Sequence, residues 1–327
     1  MVEMALINPA FIGGEIVNDN VPMPAAWRRA AAPQNAAPAS TVVDIRHGRL
    51  DLDLPNIVTR LERESGILWA HMKHRERACF TPELMRDGQD LFALLKTSFC
   101  GRRSAEMPFR YFVWASKADR VWSLGGDLSR FTSMIRERDE HGLRHYAYAS
   151  IDVLHDNYES LGLPVMTVAL INGDAVGGGF EAMLTSDLVI AERHAKFGLP
   201  EILFNLFPGM GAHAFLARKV GKATAKMLIE DGKTRSAEEM VELGLVDIVC
   251  ETGESEATLR RFAEDNQSRF NTERLLRRAI KRVDPVGRDE LIDIVDMWVE
   301  LALELTDTDL RRMDCLARHQ EKKRAKV

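Results

Sequence analysis

The chain has 327 residues, of which 46% are hydrophobic and 28% are charged. This length suits one large domain or two small ones, and the composition is that of an ordinary soluble globular protein. The net charge of −5 gives no indication of a nucleic-acid partner. We also expect no membrane span, because no apolar run approaches the ~20 residues that a transmembrane helix needs.

The four cysteines, Cys79, Cys100, Cys250 and Cys315, lie far apart in the sequence and form no CxxC pair. This usage predicts a reduced, cytoplasmic setting and argues against a zinc site. The N-terminus lacks the basic start and compact apolar core of a signal peptide, which agrees with that setting.

Residues 1–40 are rich in Ala, Pro and Asn, a composition that is typical of a flexible arm. Within this arm, Trp27–Arg29 either contacts a partner or belongs to a loose tail. Two strand-like runs follow, Thr41–Arg46 and Gly66–Met72, and together they predict an opening antiparallel sheet.

A basic cluster overlaps the end of the second run. Its members are His71, Lys73, His74, Arg75 and Arg77. Clusters of this kind usually belong to solvated surface. The functional alternative is that these side chains contact the phosphates of a substrate carrier, and the sequence leaves both interpretations open.

The next elements lead to a first glycine turn. A helix capped by Thr81 is predicted first, and the aromatic run Tyr111–Ala115 then predicts a strand. A second short strand, Val121–Leu124, ends at Gly125-Gly126-Asp127, and the chain continues as a helix. The turn therefore places the backbone N–H of Gly126 beside the start of a helix.

Residues 129–162 are predicted to be mostly helical, with apolar side chains on two stripes. Such stripes are more often core than ligand contacts. The first stripe contains Phe131, Met134 and Ile135, and the second contains Ile151, Val153, Leu154 and Tyr158. The histidines of this segment show no metal-ligand spacing beyond one chance i, i+4 pair, and we assign structural roles to them. They are His141, His145 and His155.

A central strand, glycine turn and helix organise the chain. Val165–Ile171 is mostly apolar and predicts a buried strand, which Asn172-Gly173 ends. Gly177-Gly178-Gly179 then leads into a helix that opens at Phe180. This arrangement aims backbone N–H groups at one point, where a negative oxygen can bind. A triple glycine before a helix is often only a tight turn, and the sequence alone leaves that alternative open.

Two carboxylates accompany this stretch: Glu181, just inside the helix, and Glu201, which follows Leu199-Pro200. The apolar neighbours of Glu201 in the sequence are Ile202, Leu203, Phe204, Leu206 and Phe207. Apolar surroundings raise the pKa of a carboxylate, as a general acid or base at neutral pH requires. Each glutamate alone is more often structural, because it favours a helix dipole or opens a helix.

The two glycine turns complement the two carboxylates. Backbone N–H groups from two separate turns, one at Gly126 and one within Gly177-Gly178-Gly179, are what an oxyanion hole needs. We therefore predict an oxyanion hole between these turns, with Glu181 and Glu201 beside it as the groups that transfer protons.

After Gly211 the chain is predicted to be mainly helical. Helices at Ala212–Lys219, Ala223–Glu230 and Ser236–Leu243 precede a short strand at Leu245–Val249. Four further helices are predicted at 256–270, 272–283, 287–304 and 307–324. The third of these has a broad apolar face, which predicts packing on the core or on a neighbouring subunit. Its members are Leu291, Ile294, Val295, Trp298, Val299 and Leu301.

At these motifs the chain resembles the crotonase superfamily of enoyl-CoA hydratases and isomerases. The matching segments are Gly125-Gly126-Asp127, Asn172-Gly173 through Gly177-Gly178-Gly179-Phe180-Glu181, and Leu199-Pro200-Glu201 through Pro208-Gly209-Met210-Gly211. The chain is more closely similar to the diffusible-signal-factor synthases of that superfamily. That similarity includes LGGDL, GGGFEA, GLPEILFNLFPGMGA, SAEEMVELGLVD and DMWVELALEL, and it covers roughly residues 56–323.

The resemblance implies an α/β fold, a crotonase-like ββα spiral with a C-terminal helical region, and association into a homotrimer. We place the flexible arm at 1–40, the crotonase-like core at 41–254, and the helical region for packing or trimerisation at 255–327. The resemblance further implies that residues 129–162 help to line an acyl pocket.

Following the resemblance, we predict Glu181 and Glu201 as catalytic residues and Gly126 and Gly178 as the oxyanion hole. The predicted substrate contacts are Gly125, Gly177, Leu203, Phe207 and Gly209. The chemistry requires no metal and no other cofactor. In the hydratase pattern, Glu201 takes the α-proton and Glu181 handles the hydroxyl or water.

Three functions remain open from the sequence. The signal-factor synthases dehydrate a 3-hydroxyacyl carrier-protein thioester to a cis-2-enoyl product and also hydrolyse the thioester, which releases a fatty-acid signal. The second function is that of an ordinary enoyl-CoA hydratase or isomerase, with a CoA thioester as substrate. The third is non-enzymatic: an acyl-binding protein, or one that docks on a sensor kinase.

Overall fold

Two β-sheets, one of six strands and one of four, form the frame of the part of the chain that the structure describes. The computed structural model describes residues 50–74 and 77–324. The predicted arm at 1–40, the predicted strand Thr41–Arg46 and the basic residue Arg75 lie outside these ranges. Among the helices of the described residues, none combines the length and the apolar character needed to cross a membrane.

The larger sheet is parallel except at one edge. Its strands, in spatial order, are β1 (Ile57–Glu62), β2 (Ile67–Met72), β3 (Tyr111–Ser116), β5 (Met166–Ile171), β7 (Leu188–Glu192) and β10 (Ile248–Cys250). Only β1 runs antiparallel to its neighbour. Every residue of β2, β3, β5 and β7 is buried. Parallel sheets are covered on both faces, so their strands are almost continuously apolar, as these are.

The smaller sheet consists of short strands. They are β4 (Val121–Ser123), β6 (Asp174–Val176), β8 (Lys196–Gly198) and β9 (Arg235–Ser236). The first three run parallel and β9 pairs antiparallel with β8. Each of β4, β6 and β8 follows a strand of the larger sheet after a short turn, so the chain alternates between the two sheets.

Eleven α-helices lie in the described residues. They are α1 (Pro82–Phe99), α2 (Leu128–Arg136), α3 (Glu140–Tyr158), α4 (Gly178–Leu184), α5 (Ala212–Val220), α6 (Lys222–Glu230), α7 (Ala237–Glu242), α8 (Ser255–Asp265), α9 (Phe270–Val283), α10 (Arg288–Glu304) and α11 (Asp307–Arg324). The predicted helices match these closely. Thr81 caps α1 through a hydrogen bond from the Leu84 N–H, as its position in the sequence predicts.

The repeating unit of the core is strand, strand, helix. The units are β3–β4–α2, then β5–β6–α4, and then β7–β8 followed by a 3₁₀ helix at Glu201–Phe204. The predicted crotonase-like ββα spiral with a C-terminal helical region is therefore confirmed. The turns that follow the second strand of each unit lie close together, since Gly125 approaches Gly178 and Gly177 approaches Glu201.

The opening sheet differs from the prediction. The antiparallel partner of β2 is β1, which pairs with it from Ile57↔Met72 to Glu62↔Ile67. Sequence analysis does not predict β1, because the solvent-exposed Arg60 and the partly exposed Glu62 interrupt its apolar pattern. It also does not predict β6, β8 and β9, which have two or three residues each and are too short to show a period.

The basic cluster is divided in the structure: Lys73, His74 and Arg77 line one pocket, and His71 lines another. His71 is buried, with its Nε2 3.6 Å from a Glu256 carboxylate oxygen. The His74 Nε2 lies 3.2 Å from the Trp122 carbonyl oxygen. Lys73 pairs with Asp53, and the Arg77 guanidinium lies 2.6 Å from Asp127. The described members of the cluster therefore have separate partners, and two of them point into the protein.

The C-terminal helices fold back on the core. Helix α8 packs on β5 and β7, α10 packs on α3, and α11 packs on α2. The broad apolar face of α10 is covered within the chain: Trp298 is 6% exposed, and its ring centroid lies 5.3 Å from that of Phe131. Of the two predicted alternatives for this face, packing on the core is confirmed.

Candidate active site

The loops of the ββα units enclose an apolar cavity of about 190 Å³. One side of it is formed by the turns at Gly125-Gly126 and Gly177-Gly178-Gly179 and by the 3₁₀ helix at Glu201–Phe204. Helices α2, α3, α10 and α11 form the rest. Its lining residues are Leu124, Gly126, Leu128, Phe131, Tyr146, Ala147, Ser150, Val176, Gly177, Gly178, Glu181, Pro200, Glu201, Phe204, Leu206, Gly209, Met210, Trp298, Met313 and Leu316. Glu181 and Glu201 are the only carboxylates among these described residues.

The two glycine turns touch each other at the wall of this cavity. A Cβ atom added to Gly125, which has a φ of +79°, would lie 2.6 Å from the Gly178 nitrogen. A Cβ atom on Gly178 would lie 3.5 Å from the Gly126 nitrogen. Side chains at Gly125 and Gly178 would separate the turns, so glycine is required for this approach. The N–H groups of Gly126 and Gly178 consequently lie on adjoining segments, where both can point at one oxygen atom.

Several hydrogen bonds fix the turn at Gly125-Gly126-Asp127. The Phe80 N–H donates to the Gly125 carbonyl oxygen at 2.8 Å. The Tyr146 hydroxyl donates to the Phe80 carbonyl oxygen and accepts a bond from the Asp127 N–H. The Asp127 carboxylate also accepts from Arg130 N–H and so caps α2. These bonds hold the backbone before any ligand binds, as electrostatic stabilisation of a reaction requires.

Glu181 is almost completely buried. It lies in the first turn of α4 and is 1% exposed. Its Oε1 atom accepts hydrogen bonds from the backbone N–H groups of Met210, at 2.8 Å, and Ala212, at 2.9 Å. Burial raises the pKa of Glu181, and the two N–H donors partly oppose that rise because they stabilise the ionised form.

Glu201 has a different environment. It opens the 3₁₀ helix directly after Pro200, and a Cβ atom on Gly177 would lie 2.8 Å from its Oε1. The residue as a whole is partly exposed, but its Oε2 atom is shielded from solvent and has no hydrogen-bond partner among the described residues. Burial raises the pKa of Glu201, and the negative charge of Glu181 raises it further.

The two carboxyl groups therefore form a coupled pair. Two negative charges in one apolar cavity repel each other, so the pair retains a proton at a pH where isolated glutamates have lost theirs. The donors at Met210 and Ala212 favour the ionised form of Glu181, while Glu201 has no such donors on Oε2. These partners favour Glu181 as the ionised member of the pair and Glu201 as the member that keeps the proton. A neighbouring acid and base of this kind can move protons to and from a bound substrate.

The structure brings together most of the predicted site residues. Gly126, Gly177, Gly178, Glu181, Glu201 and Gly209 all line the cavity. Gly125 lies behind its wall, against Gly178. Leu203 is 52% exposed, and the Phe207 ring packs 5.6 Å from the His213 ring. Neither Leu203 nor Phe207 is among the lining residues, and their contact with a substrate stays a prediction.

Sequence analysis does not predict several lining residues. Tyr146 and Ser150 lie on α3, within the segment 129–162 that the resemblance implies as pocket lining, but the local sequence singles out neither residue. Met313 and Leu316 lie on α11, a helix of mostly polar and charged residues. Their contribution depends on how α11 folds back on α2, which no local pattern indicates. Trp298 is predicted only as an apolar packing residue, and Phe131 is predicted as core within the segment that the resemblance implies as pocket lining.

A ββα spiral that brings two glutamates and two glycine turns to one cavity defines a crotonase-type protein. The family model for enoyl-CoA hydratase/isomerase matches residues 65–326 of this chain. The protein therefore belongs to the enoyl-CoA hydratase/isomerase family.

Solved structures agree with this assignment at the level of the fold. An enoyl-CoA hydratase from Bacillus halodurans superposes with a TM-score of 0.66 at 23% identity, over 80% of this chain and 99% of that one. One from Bacillus anthracis gives 0.59 at 24% identity, over 82% and 96%. The Pseudomonas aeruginosa protein DspI gives 0.57 at 22% identity, over 73% and 85%. Identities this low establish a common architecture alone.

The unequal glutamates predict a stability that depends on pH. Because the pKa of Glu201 in the folded protein lies above its ordinary value of 4.5, its contribution to stability is complete below that value and is lost as pH rises through the folded pKa. Glutamine has no carboxyl group to titrate, so Glu201→Gln removes this loss of stability at higher pH. The variant should therefore gain stability relative to wild type between pH 5 and pH 9, by about 1.4 kcal/mol for each unit by which the pKa is raised.

Urea denaturation at a series of pH values measures this difference. Glu300→Gln, at an exposed position of α10, is the matched control and should follow the wild type at every pH. If the free energy of unfolding changes with pH in the same way for Glu201→Gln and wild type, Glu201 is not held in its protonated form.

Proposed function

We propose that this protein dehydrates a 3-hydroxyacyl carrier-protein thioester to a cis-2-enoyl product and then hydrolyses the thioester, which releases a fatty-acid signal. The observation that carries the proposal is the coupled pair Glu181 and Glu201 in an apolar cavity, next to the contact between the two glycine turns. The motif similarity to the signal-factor synthases at the same residues supports the choice of substrate and product.

Elimination begins at the carbonyl group of the thioester. With the carbonyl oxygen at the N–H groups of Gly126 and Gly178, loss of the α-proton forms an enolate whose charge develops on that oxygen. Donors that are already in place stabilise this charge without reorganisation, and each contributes about 3 kcal/mol in comparable sites. The apolar lining strengthens both hydrogen bonds, because it lowers the local dielectric constant.

The two glutamates then transfer the protons. In its ionised form, Glu181 takes the α-proton. Protonated Glu201 gives its proton to the 3-hydroxyl group, which leaves as water, and the Cα–Cβ double bond forms. The hydrogen-bond partners of the two carboxyl groups support this order, which is the reverse of the hydratase pattern that the motifs imply.

Elimination leaves the pair in the state that hydrolysis needs. Glu201 is now ionised and takes a proton from a water molecule, whose oxygen attacks the carbonyl carbon. The tetrahedral oxyanion forms at the same Gly126 and Gly178 donors. As the C–S bond breaks, Glu181 gives its proton to the departing sulfur, and both glutamates return to their starting states. One site can therefore serve both steps.

The alternative is an enoyl-CoA hydratase or isomerase acting on CoA thioesters, and membership in that family favours it. The same two glutamates would serve that reaction, so the choice depends on the substrate. Docking on a sensor kinase is compatible with either activity.

All four cysteines lie in the described ranges and no disulfide joins them, which is compatible with the predicted cytoplasmic setting.

Incubation with 3-hydroxydodecanoyl carrier protein, and separately with the CoA ester, tests the proposal. We expect free 2-enoic acid from the carrier-protein substrate. Glu181→Gln and Glu201→Gln should each lower both dehydration and release of free acid at least ~100-fold, because general acid–base groups typically contribute 10²–10⁴-fold. Glu300→Gln is again the control.

Mass spectrometry of the enoyl thioester and the free acid distinguishes the outcomes. Accumulation of enoyl thioester alone would show that the protein does not hydrolyse the thioester. Turnover of CoA esters alone would establish the hydratase alternative. Normal turnover by either glutamate variant would exclude that residue from the mechanism.

Helix α9 supports self-association of the protein, because charged side chains of this helix face the core and apolar side chains face solvent. Arg277 and Lys281 face the core, where Lys281 Nζ lies 2.6 Å from Asp187 and Arg277 donates to the Asp187 carbonyl oxygen. Ile280 and Val283 instead face outward and are 73% and 87% exposed. An apolar stripe this exposed marks an interaction surface. We propose that it binds a second copy of the chain, in the homotrimer that the resemblance implies.

Ile280→Glu should therefore weaken association, because it places a charge in the apolar contact. Light scattering at micromolar concentration should give a trimer for the wild type and a smaller species for the variant. Asn271→Glu, which adds the same charge on the opposite side of the same helix, is the matched control and should remain a trimer. A stable wild-type monomer would exclude the trimer but would leave the active site unaffected.

A further inference from the structure

A second apolar cavity adjoins the candidate active site. It has a volume of about 40 Å³ and lies among β2, β3, β4, α1, α3 and α4. Its walls include Met85, Gly88, Trp114, Trp122 and Leu154. Ser150 and Met210 line both this cavity and the larger one, so the two cavities meet at these side chains. We call the larger one the first chamber and the smaller one the second chamber.

Helix α3 runs along both chambers. Ala147 and Ser150 face the first chamber, and Ser150, Leu154 and Asn157 face the second. These positions are spaced three or four residues apart, so they lie on one face of the helix. The two chambers therefore follow one another along a continuous, mostly apolar track that begins at the glutamates.

Met210 stands at the junction. Its backbone N–H donates to Glu181, which fixes its main chain, and a Cβ atom on Gly178 would lie 2.7 Å from its sulfur. The Met210 side chain thus lies directly beside Gly178, which lines the first chamber. Methionine is unbranched and adapts its rotamers to the space available. A change of the Met210 rotamer can therefore connect the chambers without moving the backbone.

The far end of the second chamber is polar. Asn157 is 3% exposed, and its Nδ2 donates to the Thr185 hydroxyl at 2.8 Å. Its Oδ1 has no hydrogen-bond partner among the described residues. An apolar chain end pressed against this oxygen would keep it from water, which is unfavourable for a polar atom that has no hydrogen-bond partner. The track is therefore suited to an apolar ligand that ends before Asn157.

We propose that the second chamber binds the methyl end of a long, unbranched acyl chain, and that Gly88 and the Trp114 ring limit the length of that chain. This inference rests on the proposed acyl substrate for the location of the carboxyl end, beside Glu181 and Glu201. Binding of the tail requires no turnover. Each methylene that enters the chamber adds hydrophobic stabilisation, because it leaves water for apolar surroundings.

Gly88 allows the chamber to be narrowed without damage to the fold. It lies within α1, and a Cβ atom added there would meet Val153 at 3.7 Å and Trp114 at 4.0 Å, which are ordinary contacts. Alanine also has a higher helix propensity than glycine. Gly88→Ala should therefore fold normally while its methyl group occupies part of the chamber. Gly287→Ala, where the added methyl meets nothing, is the matched control.

Tryptophan fluorescence with 12-bromododecanoate tests the proposal directly. Bromine quenches an indole ring that it touches, and this probe carries its bromine at the methyl end, where Trp114 and Trp122 line the chamber. We expect quenching in wild type and in Gly287→Ala, with about tenfold weaker binding in Gly88→Ala, since one methylene of fit in an apolar pocket changes selectivity at least tenfold. Equal quenching in wild type and Gly88→Ala, or none in wild type, would overturn the proposal.

Turnover gives a second readout. The ratio of kcat/KM for the dodecanoyl substrate to that for the hexanoyl substrate should fall about tenfold in Gly88→Ala. An active enzyme whose chain-length preference is unchanged in Gly88→Ala would refute the second chamber and leave the proposed function standing. A protein that shows the expected quenching but acts on no thioester would refute the proposed function and leave the chamber standing.

Discussion

Two carboxyl groups in one water-poor cavity repel each other when both are charged, and this repulsion is the constraint on which the site depends. Glu181 and Glu201 occupy the same apolar cavity, and burial together with their mutual repulsion raises the pKa of Glu201. The proton that they retain makes one of them an acid while the other remains a base. A single glutamate on this wall would lack the neighbouring charge that raises the pKa of Glu201 beyond the effect of burial.

The fold maintains this pair through contacts between segments that are distant in the sequence. The ββα units bring the Gly125 and Gly178 turns into van der Waals contact, which aligns the backbone donors that a developing oxyanion requires. The N–H groups of Met210 and Ala212 bind Glu181 from the start of α5, and the Tyr146 hydroxyl connects Phe80 with Asp127. Trp298 and α11 then close the cavity and keep its dielectric constant low.

The sequence predicts those parts of the site that depend on local chemistry. Glycine turns, helix openings and the two glutamates each have a local signature, and the structure brings Gly126, Gly178, Glu181 and Glu201 to one cavity. Nearness to a catalytic residue in the sequence is a poorer guide to which side chains line the cavity. Leu203 follows Glu201 closely, yet the 3₁₀ helix turns it toward solvent. Met313 and Leu316 lie on a helix of mostly polar residues and reach the cavity only through long-range packing.

The central claim is that Glu181 and Glu201 share a proton at neutral pH. A ¹³C NMR titration of protein labelled at the glutamate carboxyl carbons tests it, with Glu181→Gln and Glu201→Gln used to assign the two signals. The account predicts that both signals titrate well above the ordinary value of 4.5, with Glu201 losing its proton at the higher pH. Titration of both signals at or below that ordinary value would contradict the account.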